Sequence, residues 1–94
     1  MSATLATAKF RAGRIVCTPG LQAQVSDEDI LAGIKRHQAG DWGGVDEQGR
    51  TQNELAIAQG LRIWSIYRTG AGVTFWIITE ADRRATTVLL PQDY

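Results

Sequence analysis

The sequence is short of nearly everything that builds a metal or redox site. It has one cysteine, Cys17, and one histidine, His37, in 94 residues. Neither an intrachain disulfide nor a zinc site of the usual Cys/His type can be assembled from them. No cofactor is therefore expected. Charge of one sign is missing too. Ten Lys and Arg balance ten Asp and Glu, for a net charge of zero. Nucleic-acid binders and proteins of anionic membranes normally carry a clear basic excess, so neither partner is expected. No apolar run approaches the ~20 residues of a membrane span. The first fourteen residues hold no apolar stretch of signal-peptide type, which makes a cytoplasmic location the expectation.

What is present is globular. Hydrophobic residues make up 44% of the chain and charged residues 21%, too apolar for a disordered segment. The length suits one domain. Residues 1–9, small and polar without period, read as a flexible N-terminus, and residues 10–94 as a single domain. Residues 10–18 (FRAGRIVCT) alternate loosely and predict a strand, stopped by Pro19-Gly20 as a turn. Ser26 with Asp29 resembles a capping box, and Asp27, Glu28 and Asp29 suit the positive end of a helix dipole. Ile30, Leu31, Ile34 and His37 keep a 3.6-residue period. Lys35, Arg36 and His37 suit the far end, and Gly40 can close it. A helix over 27–39 follows. Thr51 with Glu54 predicts a second, short helix over 51–59, closed by Gly60.

Beyond Gly60 the pattern changes. Residues 61–69 and 73–80, rich in β-branched and aromatic side chains, flank Gly70-Ala71-Gly72 and predict a hairpin. Placing Thr69 opposite Val73 sets Tyr67 opposite Phe75, Ile66 opposite Trp76, Trp64 opposite Ile78 and Arg62 opposite Glu80. Residues 86–90 predict a third strand, ended by Pro91. The fold class is α+β: an antiparallel sheet of the N-terminal strand and a C-terminal three-stranded meander, with one longer and one short helix on one face.

The middle strand is apolar on both sides, Phe75 and Ile77 on one, Trp76 and Ile78 on the other. Two short helices cover one face. Either the 40–60 segment and the termini wrap the second, or it serves a protein partner or a second copy of the chain. Trp42, beside two glycines, suits the rim of a core. Trp42 and Trp64 are also the candidate anchors of such an interface, since aromatics dominate interface hot spots. Asp82, Arg83 and Arg84 would be its polar rim.

The chemistry-bearing groups are few. His37 and Asp41, with Arg36 between them, could orient an imidazole as a base; the same spacing suits a histidine that satisfies a helix end. Glu80, Arg83 and Arg84 could clamp a phosphate, or form an exposed turn with local ion pairs. If the protein were an enzyme, His37, Asp41, Glu80 and Arg83 would be its catalytic set, as in a small barnase- or RelE-like endoribonuclease. Such ribonucleases are usually basic, which this chain is not.

Several segments together carry a family resemblance: Thr18-Pro19-Gly20, RHQAGDWG from Arg36 to Gly43, Asn53-Glu54, Gly60-Leu61-Arg62, WIITEADR from Trp76 to Arg83, and TTVLLPQDY from Thr86 to Tyr94. Over about residues 12–94 the chain resembles a family of small proteins encoded on phages, plasmids and other mobile elements. Its members carry labels such as plasmid-related protein or type I restriction subunit M. Family members tend to have Ser at Arg84 and Glu-Glu at Gln92-Asp93. No methyltransferase motif is present, so the resemblance does not imply a modification subunit. It implies a non-enzymatic protein-binding accessory of a mobile element, in its most specific form an inhibitor of a host defence system of the anti-restriction or anti-CRISPR type. A purely structural dimeric module is the remaining reading.

Overall fold

The computed structural model describes residues 8–94. The expected loose N-terminus falls mostly outside this span. Its last residue, Lys9, is held: its amide donates to the Gln38 carbonyl at 2.8 Å. Four strands, β1 (Arg14–Cys17), β2 (Ile63–Arg68), β3 (Thr74–Thr79) and β4 (Ala85–Leu89), form one sheet in the order β1-β4-β3-β2. Three helices, α1 (Pro19–Gln24), α2 (Asp27–Gln38) and α3 (Glu47–Gln59), separate β1 from the rest, and a 3-10 turn, Pro91–Asp93, follows β4. The fold is α+β, as the sequence predicts.

The hairpin forms in the expected register. Tyr67 pairs with Phe75, Ile66 with Trp76 and Trp64 with Ile78. Arg62 reaches Glu80 at 3.5 Å just beyond the strand ends. β4 joins β3 antiparallel, with Ile77 opposite Val88.

The sheet departs from the expected all-antiparallel arrangement at β1, which runs parallel to β4. Gly13 sets this direction. It has φ of 66°, and a Cβ there would lie 2.4 Å from the Arg83 carbonyl oxygen and the Arg84 carbonyl group. Only glycine tolerates both that backbone and that approach. It aims the Arg14 amide at the Arg84 carbonyl.

Two helix starts also differ. Thr18-Pro19-Gly20 opens α1 instead of a turn. The Thr18 hydroxyl accepts from the Leu21 amide, and Pro19 occupies the first turn, where its missing N–H costs nothing. α3 begins at Glu47, four residues before the predicted Thr51. Asp46 is its cap, with Oδ1 accepting from the Gly49 amide at 2.7 Å. Inside the helix the Thr51 hydroxyl donates to the Glu47 carbonyl instead. α2 begins as expected, with Ser26 accepting from the Asp29 amide.

The helices pack on the face that carries Phe75, Ile77 and Tyr67. Leu21, Val25, Ile30, Val88 and Leu90 complete that core. Gly33 lets α2 approach closely, since a Cβ there would meet Phe75 and Ile77 at 3.1 Å. Trp42, Val45, Ala56 and Ile63 form a second cluster beside it.

Candidate binding surface

Strand alternation sends Trp64, Ile66, Trp76, Ile78, Thr87 and Leu89 to the other face. No helix lies on it. Its cover is the C-terminal turn, which folds back so that Tyr94 meets Trp76 edge-on, centroids 5.6 Å apart. Trp64 meets Trp76 in the same manner at 5.2 Å. These three rings with Arg62 and Ile78 line an open cleft of about 280 Å³. A second hollow of about 270 Å³, reaching Thr87, Leu89 and Asp93, shares Arg62, Ile78 and Tyr94 with it. Trp64 is 39% exposed and Tyr94 69%, large values for aromatic side chains.

The polar edge of the cleft is Arg62. Its guanidinium donates to the Tyr94 hydroxyl at 2.8 Å and reaches Glu80 only at 3.5 Å. The turn is latched from below. The Thr18 hydroxyl donates to Asp93 Oδ2 at 2.6 Å, and the same carboxylate accepts from the Leu90 amide at 3.3 Å. The residue that caps α1 thus also holds the segment that carries Tyr94.

The other residues singled out in the sequence lie elsewhere. Trp42 is 4% exposed and presents no area to a partner. Its indole N–H donates to Glu54 at 3.0 Å, and its ring lies against Phe10 and His37. Of the two candidate anchors, only Trp64 reaches the open face. Asp82 and Arg84 sit on the exposed β3–β4 turn, 3.7 Å apart. Arg83, at φ of 61°, turns inward. Its guanidinium donates to the carbonyls of Leu61, Glu80, Ala81 and Ala56, tying the end of α3 to the turn. Four backbone acceptors leave it little to offer a phosphate.

His37 and Asp41 do not pair. Asp41 takes a two-pronged bond from Arg36, at 2.7 and 3.2 Å, and this holds its carboxyl below the usual range. The Arg36 guanidinium also lies over the Tyr67 ring at 4.6 Å. Tyr67 donates to the Asp41 carbonyl at 2.6 Å, and burial pushes its phenol up to about 12.

His37 is fully buried between α2 and the sheet, inside a chain of hydrogen bonds whose direction the chemistry fixes. The Thr86 hydroxyl must donate to the Ala12 carbonyl, 2.7 Å away, because a carbonyl only accepts. Thr79 therefore donates to Thr86 across 2.7 Å. With its proton so used, Thr79 accepts from His37 Nε2–H at 2.9 Å. Neutral His37 then carries no proton on Nδ1, which accepts from the Ser65 hydroxyl at 2.6 Å. Burial, and next the charge of Arg83, lower the imidazole to about 4. Both ring nitrogens are committed and sealed from solvent, so the ring is placed to organise the core and not to take a proton from a substrate.

Ser65, Thr79, Thr86 and Tyr94 carried no signal of their own in the sequence. The two-residue alternation that places Ser65 and Thr79 on the His37 face was legible, but not the depth at which they sit. Among the described residues no three His, Cys, Asp or Glu side chains gather to hold a metal ion, and no helix is long and apolar enough to cross a membrane. Comparison with protein families, curated proteins and solved structures finds no match to the chain. The geometry of the open face is therefore what a functional reading has to stand on.

Proposed function

We propose that the protein acts by stoichiometric binding of a protein partner on the open sheet face, and not by turnover. The observation that carries this is the cleft of Trp64, Trp76 and Tyr94, backed by Ile78 and edged by Arg62, on a face that no helix covers. Clustered exposed aromatics mark interaction sites, because they bury much area for little conformational entropy. Trp64 and Tyr94 are the anchors in this reading. Glu80 and Arg62 steer approach more than they hold the complex. The family resemblance gives the proposal its specific form: a cytoplasmic accessory protein of a mobile element that occupies a component of a host defence system.

The test compares wild type with Trp64→Glu, a change at an exposed position that should leave the circular dichroism spectrum and melting temperature nearly unchanged. Immobilised wild type should retain one host protein in equimolar amount, and the variant should lose it. Retention of the same protein by both, or cleavage of labelled RNA over many turnovers by purified wild type, overturns the proposal.

A further inference from the structure

The two edges of the sheet are finished differently. On the β2 edge the outward backbone groups are taken. Asn53 of α3 accepts from the Trp64 amide at 3.1 Å and donates to its carbonyl at 2.7 Å, as a neighbouring strand would. The Ile66 amide donates to the Trp42 carbonyl, and the Ile66 carbonyl accepts from the Gly44 amide at 2.8 Å. That edge is closed to another strand.

The β1 edge has no such cover among the described residues. Arg14 and Thr18 aim their amides at β4, at 2.9 and 3.1 Å. By alternation Ile15 and Cys17 aim theirs away from the sheet. Ile15 is 42% exposed and Val16 37%, so the open edge is apolar on both faces. We propose that β1 pairs antiparallel with β1 of a second copy of this chain, Ile15 facing Ile15 across a two-fold axis, to give a continuous eight-stranded sheet.

Three observations favour a second copy over a foreign strand. The segment is self-complementary in this register: the outward-facing Ile15 meets its own copy as a hydrogen-bonded pair, and Cys17 meets Gly13. Charge agrees, since Arg14 falls opposite Val16 and not opposite another Arg14. The zero net charge adds no bulk repulsion. Continuity agrees as well. Val16 shares the face of Thr87, its partner in the β1–β4 register, so pairing joins the open faces of both copies into one surface. The inference comes from the sheet edge and does not depend on what the aromatic cleft binds.

Proline separates this contact from the fold. Ile15→Pro removes only an outward-facing amide, whereas Val16→Pro removes one used on β4. Sedimentation equilibrium should find wild type as a dimer. Ile15→Pro should raise the dissociation constant by about tenfold or more, with an unchanged circular dichroism spectrum. Should Ile15→Pro fail to fold, cross-linking decides. In a Cys17→Ser background, Ile15→Cys should form an interchain disulfide on mild oxidation, because hydrogen-bonded antiparallel partners lie ~5.5 Å apart at Cα, within disulfide reach. Val16→Cys in that background should not, its two copies being offset along the strands. A monomer at every concentration tested, with no Ile15→Cys cross-link, overturns the proposal. So does a dimer that survives Ile15→Pro but is lost in Trp64→Glu, which would assign self-association to the open face.

Discussion

At the scale of single residues, the fate of His37 is decided by its partners. Its folded pKa is lowered to about 4 from an ordinary 6.5. The unfolded chain therefore takes up the proton first as pH falls. The stabilisation from keeping the ring neutral is complete above pH 6.5 and is lost as pH drops from there towards 4, a change on the order of 3 kcal/mol. His37→Gln keeps one acceptor and one donor but does not titrate. Urea midpoints measured between pH 7 and 4.5 should fall more steeply for wild type than for His37→Gln. Parallel slopes would show that the ring is not held neutral. His37→Ala should be worse than His37→Gln at pH 7, by about 1–3 kcal/mol, because the Ser65 donor and the Thr79 acceptor are left unpaired in the core.

At the scale of elements, two side chains substitute for backbone. Asn53 closes the β2 edge, and Arg83 closes the end of α3 and the β3–β4 turn. Asn53→Ala should lower unfolding free energy by about 2 kcal/mol, the sum of two hydrogen bonds of ordinary net worth. It should also raise amide exchange at Trp64 selectively, with Ile77 in the sheet centre unaffected. Uniform loss of protection would mean that α3 organises more than the edge. The exposed pairs Arg36–Asp41 and Arg62–Glu80 are a different case. Both partners are about half exposed in each, and such pairs contribute about 0–1 kcal/mol. Glu80→Gln should leave the melting temperature nearly unchanged.

At the scale of the whole molecule, one layer of helices meets a sheet that is apolar on both faces. The C-terminal turn, latched by Thr18 and Asp93, spreads Tyr94 over part of the bare side. Tyr94→Ala should shift tryptophan emission to longer wavelength, as Trp76 gains contact with water. The melting temperature should fall by only a few degrees, since ~1 kcal/mol moves a domain of this size by about 4–8 °C. An unchanged spectrum would place Tyr94 away from Trp76 in solution.

The sequence by itself determined what depends on neighbours along the chain. The hairpin register followed from Gly70-Ala71-Gly72 and two-residue alternation, and α2 from its cap, its dipole charges and Gly40. That both sheet faces are apolar, and that Trp64 sits on one of them, was equally legible. Tertiary structure decided the rest. Trp42 beside glycines reads alike as core plug or interface anchor; only the approach of Phe10, His37 and Glu54 buries it. The direction of β1 depends on Gly13 meeting Arg83 and Arg84, seventy residues later in the chain. Tyr94 has no local signal, because its position comes from a hydrogen bond to Thr18 made across the whole fold. Such contacts are selected by packing and by the pairing of buried polar groups. Both depend on distances in space that no local pattern of residues encodes.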